Sequence, residues 1–169
     1  KKLKVLNSFF TEELINQKKL HNKFDIIFAA NVICHIPNML SLFKCVEKSL
    51  KQNGYFIFEE PYLGAMLEKT SYDQIYDEHF YMFSANSITS ILDKFNLELV
   101  SAERISTHGG SMRYYVKKTK YFKISKKLKQ VLKYEESLKI SKIKTIKKFV
   151  ANCVNSKKRI LKIMNDIIA

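Results

Sequence analysis

The hydrophobic pattern of this chain changes period several times, and each change predicts an element. Residues 3–6, with two leucines and a valine, read as a short strand. Thr11 stands where a helix cap belongs, and Glu12 and Glu13 favour the positive end of a helix running to about residue 20. Residues 24–30, Phe-Asp-Ile-Ile-Phe-Ala-Ala, form a short and nearly continuous apolar run, as a buried parallel strand requires. Pro37 and Asn38 open a helix in which Leu42, Phe43, Val46 and Leu50 recur at helical spacing, with Asn53-Gly54 as its end. Residues 55–60 read as a second buried strand closed by Pro61. Ser84 caps a helix to about residue 95, and residues 97–105 and 112–118 read as an antiparallel pair around a glycine turn. From 125 to 167, apolar residues at helical intervals with lysines between them predict two helices. The order strand–helix–strand–helix predicts an α/β fold, a parallel sheet with helices on both faces.

Ligands of such sheets sit beyond the carboxyl ends of the strands. Three segments fall there. The first is Ala30-Asn31-Val-Ile-Cys-His35. The second is the connection over residues 59–83, long enough to expect a function. It holds Ser71-Tyr-Asp-Gln-Ile-Tyr-Asp-Glu-His-Phe-Tyr-Met-Phe-Ser84, with Tyr76, Glu78 and His79 packed among aromatics. The third is Thr107-His-Gly-Gly-Ser-Met-Arg113, whose paired glycines, hydroxyl, histidine and arginine suit an anion such as phosphate. One segment has proton-moving groups and another has anion-gripping groups, a pairing that points to an enzyme acting on a phosphorylated metabolite.

Each piece also fits a plainer role. Tyr72, Tyr76, His79 and Phe83 recur at i, i+4, i+7 and i+11, a helical stripe that equally fits inward packing. His35 fits a helix start, His108-Gly-Gly-Ser fits a hairpin turn, and Arg113 fits a pair with a surface carboxylate. His21, between polar neighbours, reads as exposed and idle.

Charge divides the chain in two. Residues 1–116 hold 13 Lys/Arg and 13 Asp/Glu, whereas residues 117–169 hold 17 and 3, so the tail carries the whole net charge of +14. A neutral body argues against nucleic-acid binding there, and the lysines of the tail read as the solvated face of amphipathic helices. Cys34, Cys45 and Cys153 form no CxxC pair, which fits free thiols in a reducing compartment. No apolar run reaches the roughly 18 residues of a membrane span, and the start lacks a secretory signal, so a soluble cytoplasmic protein is expected.

The run Phe24-Asp-Ile-Ile-Phe-Ala-Ala-Asn-Val-Ile-Cys-His-Ile-Pro37 resembles the fourth strand and following loop of a class I S-adenosylmethionine-dependent methyltransferase, and Tyr55-Phe-Ile-Phe-Glu-Glu-Pro-Tyr62 resembles its fifth strand. The continuation Glu68-Lys-Thr-Ser-Tyr-Asp-Gln-Ile-Tyr-Asp-Glu-His79, with Thr107-His-Gly-Gly-Ser-Met-Arg-Tyr-Tyr115, resembles the nucleotide-sugar C-methyltransferases. These methylate a ring carbon of TDP-linked 4-keto-deoxysugars. The resemblance implies a partial class I, Rossmann-like sheet from the third strand onward, followed by two C-terminal helices. Residues 1–118 would be the later part of the catalytic domain and residues 119–169 a basic helical linker toward a C-terminal domain. The family's zinc-binding N-terminal module and glycine-rich cofactor loop have no counterpart among these residues, so an internal fragment is expected, with zinc confined to that module and no metal here.

The resemblance also implies roles. Methylating carbon requires a carbanion equivalent, made by removing a proton alpha to the 4-ketone. His79 matches the family's proposed base, and an imidazole, with an ordinary pKa of about 6.5, suits that step. Glu78 would orient the sugar, Tyr76 would hydrogen-bond the developing oxyanion, and His35 would stabilise the enolate or relay a proton. Ala30 and Asn31 would face the methionine end of S-adenosylmethionine, Asn31 also touching the sugar, and Phe10 (or Phe9) would flank the adenine. His108, Gly109, Gly110, Ser111 and Arg113 would hold the sugar or its diphosphate. The expected partner is therefore a nucleotide sugar, with no nucleic acid and no membrane. Two other readings stay open: a catalytically inactive nucleotide-sugar-binding fragment, and a protein that interacts through its basic tail.

Overall fold

The computed structural model describes residues 3–119 and 123–168. The expected catalytic segment and basic linker also include residues 1–2, 120–122 and 169, which lie outside the described residues. The elements are α1 (Glu12–Gln17), β1 (Phe24–Ala30), α2 (Met39–Ser49), β2 (Leu50–Pro61), α3 (Leu63–Lys69), α4 (Ala85–Leu92), β3 (Glu98–Ile105), β4 (Ser111–Lys117), α5 (Lys126–Leu138) and α6 (Ile143–Ile168). The fold is α/β, as expected. Helix starts follow the polar caps read from the sequence. Thr11 accepts from Leu14 N at 3.3 Å, Asn38 from Ser41 N at 3.0 Å, and Ser84 and Ser87 bond reciprocally across the first turn of α4.

The sheet order is β1-β2-β4-β3. β1 and β2 are parallel, while β4 runs antiparallel to both β2 and β3, so the sheet is mixed where a parallel one was expected. The reason is the short glycine turn between β3 and β4, which leaves room for a hairpin but not for a crossover. Residues 3–6 form no strand. Leu3 and Val5 are 92% and 83% exposed, and an extended segment with no partner for its backbone groups gains nothing from strand geometry. Asn53-Gly54 does not end α2, which stops at Ser49. It lies inside β2, where the register with β1 jumps from Phe24↔Leu50 to Ile26↔Tyr55, a bulge made with Asn53 in the left-handed region at φ 65°.

The core lies on one face of this sheet. Phe56 and Phe58 of β2, Met112, Tyr114 and Val116 of β4, and Leu99 and Ala102 of β3 pack there against α2, α4 and α5. Aromatic rings form its centre. Phe58 stacks on Tyr114 at 4.7 Å and on Phe56 at 5.0 Å, and Phe43 of α2 meets both phenylalanines edge-on. On the other face Tyr55, Ile57, Glu59, Arg113 and Tyr115 are partly exposed while Pro61 and Ser111 at its end are buried, and among the described residues no helix seals it. Helices on both faces were expected; the strand period shows why they are absent. β1 was read as buried on both sides, yet it sends Ile27 and Ala29 toward the core and leaves Ile26 and Phe28 61% and 60% exposed.

The lysine-rich tail is only partly a solvated face. Leu128 and Val131 of α5 join the core, and the carboxylate of Glu135 is fully buried. It accepts Ala85 N at 2.7 Å, Asn86 N at 3.0 Å and Asn86 Nδ2 at 2.8 Å, covering the open N–H groups at the start of α4. α6 buries Phe149 and keeps Ile143, Val150, Ile163 and Ile167 exposed. Among the described residues no helix is long and apolar enough to cross a membrane.

The two faces respond differently to substitution. Phe58→Ala, at the centre of the ring stack, is expected to lower stability by about 3–5 kcal/mol in urea unfolding. Phe28→Ser should change it by less than about 0.5 kcal/mol and reduce concentration-dependent association in sedimentation. Equal losses in both variants would show that the open face is also core.

Candidate active site

Three chain segments meet beyond the carboxyl ends of β1 and β2, and a buried carboxylate joins two of them. Glu60, on the core face of β2, is 0% exposed. Its Oε1 accepts the consecutive N–H groups of Val32 at 3.1 Å and Ile33 at 2.6 Å. Charged acceptors hold backbone amides firmly, so the single turn of 3-10 helix at Ile33–His35 is tied to the end of β2. Oε2 makes no conventional hydrogen bond, and the neighbouring group is the Cys34 thiol. Burial, with Glu60 adding to it, pushes that thiol up to about 12. Such a thiol contributes stability that is fully present below its unfolded value of 9.0 and is lost only as pH rises through about 12.

The tied turn in turn holds the connection between β2 and α4. Phe80 N donates to Cys34 O at 2.9 Å, and His35 Nδ1 bonds Glu78 O at 2.9 Å. That connection is not the structureless loop its length implied, because it opens with α3 and contains a turn of 3-10 helix at Tyr72–Gln74. It is not the helical stripe either. Beyond Gln74 no helix forms before α4; Phe83 is buried, whereas Tyr72 and Tyr76 are 39% and 44% exposed. The residues Tyr76 and His79 face each other instead, with ring centroids at 4.1 Å, and Tyr76 Oη lies 2.8 Å from His79 Nε2. His79 Nδ1 bonds Gln74 O at 2.9 Å, and the His35 ring is 4.9 Å away, centroid to centroid.

These contacts settle the tautomers. A carbonyl oxygen can only accept, so Nδ1 carries a proton in both histidines, and the neutral form of each ring has its lone pair on Nε2. Tyr76 then donates to His79 Nε2. Partial burial, with the charge of Glu78 adding to it, raises the Tyr76 hydroxyl above its ordinary range, so it stays a donor at neutral pH. Glu78 acts on His35 through its backbone oxygen, while its side chain lines an open cleft with His35, Asp77 and Phe80.

The glycine turn lies apart from this pair. His108 is exposed in the left-handed region at φ 50°, followed by Gly109 and Gly110 at 77° and 134°. A side chain on Gly110 would meet Ala65 Cβ at 2.6 Å, which shows how closely the turn sits on α3. Lys69 Nζ donates to Gly109 O at 2.5 Å, and the buried Ser111 hydroxyl donates to Thr107 O at 3.1 Å. A small cleft is lined by Ser71, Gln74, His108, Gly109 and Gly110, Gln74 being the residue whose carbonyl accepts from His79. Arg113 is occupied: its Nε donates to Glu59 Oε1 at 2.5 Å across the Glu59↔Arg113 register pair of β2 and β4. This hydrogen bond, with further help from Tyr115, raises the guanidinium above its ordinary value. Ala30 and Asn31 are exposed at the end of β1, Asn31 at φ 52° with its N–H given to Glu59 O at 2.8 Å. Phe10 is half-buried against the core beside Phe9, which is 90% exposed. The sequence pattern did not single out Gln74 or Cys34; only the spacing of Glu60 at the end of an apolar strand marked the carboxylate.

Residues 3–102 match the model of a methyltransferase domain, and residues 106–169 match that of a C-methyltransferase C-terminal domain. The chain belongs to the methyltransferase-domain family. The C-methyltransferase NovU of Streptomyces niveus is 29% identical over 92 residues, which cover 54% of this chain. The chain spans about a fifth of that relative, 22% of its length. Among solved structures, an S-adenosylmethionine-dependent methyltransferase from Thermotoga maritima is similar at 17% identity and a TM-score of 0.48, over 59% of this chain and 57% of that one. The magnesium protoporphyrin IX methyltransferase of Synechocystis, with bound S-adenosylhomocysteine, is similar at 16% identity and 0.45, over 60% of this chain and 48% of that one.

The fold is that of a methyltransferase domain, as the sequence led us to expect. Ala30 and Asn31, expected at the methionine end of S-adenosylmethionine, are exposed at the end of the parallel strand β1, and these 169 residues hold four glycines and no glycine-rich loop. The tie through Glu60 can be tested directly. Glu60→Ala leaves the buried N–H of Ile33 and the part-buried N–H of Val32 without an acceptor and is expected to cost about 1–3 kcal/mol in denaturant unfolding. Glu60→Gln, which keeps an accepting oxygen, should cost clearly less; the same loss in both would assign the effect to charge instead.

Proposed function

We propose that the protein carrying this chain transfers a methyl group from S-adenosylmethionine to a ring carbon of a TDP-linked 4-keto-deoxysugar. The observation that carries this reading is the anchored His79, whose Nδ1 proton is committed to Gln74 O and whose Nε2 faces the Tyr76 hydroxyl, while its chain neighbours Glu78 and Phe80 line the open cleft. A nucleotide sugar lying across that cleft has its C–H alpha to the ketone removed by this nitrogen, and the electron pair of the C–H bond forms the enolate. The His79 imidazole becomes an imidazolium, held in place by the Gln74 carbonyl.

Tyr76 occupies Nε2 before substrate arrives, so its O–H must turn away for the base to act. A ketone oxygen beside His79 gives that hydroxyl a new acceptor, and it then stabilises the negative charge as it forms. His35, oriented by Glu78 O, stands within reach of the same oxygen or of the His79 proton. S-adenosylmethionine supplies an electrophilic methyl group on a sulfonium. Ala30 and Asn31 line its methionine end, and Asn31 also faces the sugar. The amides around His108, Gly109 and Gly110, with Ser111, hold the sugar diphosphate. Arg113 contributes through Glu59, which it pairs with beside Asn31.

The full-length protein is assayed with S-adenosylmethionine and TDP-4-keto-deoxysugars, following methylated product and, separately, deuterium wash-in at the carbon next to the ketone. His79→Gln is expected to slow both by about 10²–10⁴-fold. Tyr76→Phe should lower kcat with little change in KM. A methyl group found on oxygen or nitrogen, or wash-in untouched by His79→Gln, would overturn the reading.

A further inference from the structure

We propose that Cys34, His35 and His79 form a binding site for a thiophilic divalent cation of the zinc class. One ligand atom from each of the three residues lies within 4.8 Å of those of the other two. In a tetrahedral zinc site, with Zn–S near 2.3 Å and Zn–N near 2.0–2.1 Å, such atoms stand roughly 3.5 Å apart. Side-chain rotation of about 1 Å closes that difference. The second coordination sphere is already in place. Both imidazoles give their Nδ1 proton to a backbone carbonyl, Glu78 O for His35 and Gln74 O for His79, which is the arrangement that presents Nε2 to a metal and raises its basicity. The thiol of Cys34 lies beside the buried carboxylate of Glu60, which disfavours the thiolate until a cation supplies the opposing charge.

Binding breaks the Cys34 S–H bond and forms a sulfur–metal bond. The proton leaves to solvent by way of the Glu60 carboxylate, and no electrons are exchanged. Burial holds the thiol protonated in the free protein, but a divalent cation beside it supplies the charge that stabilises the thiolate. The two histidines bind as neutral rings, and Tyr76 gives up its hydrogen bond to Nε2 of His79. Three protein ligands leave a fourth position, which opens on the cleft lined by His35, Asp77, Glu78 and Phe80. Binding of the cation stands on this geometry alone. Its consequence rests on the methyl-transfer reading: an occupied site captures the lone pair that the base needs, so the cation and the sugar compete.

The 169-residue chain is freed of metal with a chelator and titrated with Co²⁺ as a spectroscopic stand-in for zinc. One equivalent is expected to bind with an intense near-ultraviolet thiolate-to-cobalt band that Zn²⁺ bleaches. Cys34→Ser should abolish the band, and His35→Gln or His79→Gln should each weaken binding by about 100-fold. Cys153→Ser should change nothing, and circular dichroism checks that every variant is folded. In the unaltered chain, zinc should shift the ring resonances of His35 and His79 while those of His21 and His108 stay in place. A missing band, a band that survives Cys34→Ser, or shifts confined to His21 and His108 would each overturn the site. Because none of these measurements reads methyl transfer, their failure leaves the proposed reaction standing, and failure of that reaction leaves the cation site standing.

Discussion

A single buried carboxylate sets the geometry of this site. Glu60 is placed by the alternation of β2, whose even-numbered residues face the core, and it would be an uncompensated charge there without the amides of Val32 and Ile33. Those two hydrogen bonds fold the chain sharply after β1 and aim Cys34 inward and His35 toward the rim. Everything beyond follows from that turn. Cys34 O receives Phe80 N, and His35 Nδ1 receives its acceptor from Glu78, so the connection carrying His79 is held at two points. An apolar residue at position 60 would save a desolvation cost but leave the turn without its acceptor.

The connection between β2 and α4 shows how a site is assembled from segments without long regular structure. Its spacing of Tyr72, Tyr76, His79 and Phe83 resembles one face of a helix, yet the residues separate. Phe83 goes into the core, Tyr76 and His79 pair at the rim, and Tyr72 stays at the surface. Backbone carbonyls then decide the chemistry. Gln74 O and Glu78 O each take an Nδ1 proton, which leaves both histidines with the lone pair on the same type of nitrogen, directed away from the chain that holds it. Two such rings beside a thiol can serve a proton or a soft cation, and the two ligands exclude one another.

The sheet divides its faces unequally. Stacked rings of Phe56, Phe58 and Tyr114, wedged by Phe43, make one face dry and rigid, and α5 closes it through Leu128 and Val131 while Glu135 fastens the start of α4. The opposite face keeps an apolar edge at Ile26 and Phe28 and an ion pair between Glu59 and Arg113. The rim residues are therefore supported from behind by a packed core and are open in front, as a binding cleft needs.

Much of this was legible in the sequence. The caps at Thr11, Asn38 and Ser84, the strand at 24–30, the β3–β4 hairpin and the two tail helices follow from local signals: a side-chain oxygen near open amides, a change of period, a pair of glycines. The motifs around His79 and His108 marked the segments from which the proposed chemistry is drawn. What the sequence left undecided depends on partners distant along the chain. Whether residues 3–6 form a strand, whether β1 is buried, and whether Arg113 is unengaged or paired with Glu59 are questions of what lies across the sheet, and local composition holds no information about that. The joining of Glu60 to Val32 and Ile33, and of His35 to Glu78, crosses separations of 27 to 43 residues. Only folding brings those groups within hydrogen-bonding distance, because a pattern along the chain records which face a residue takes but not which residue it meets.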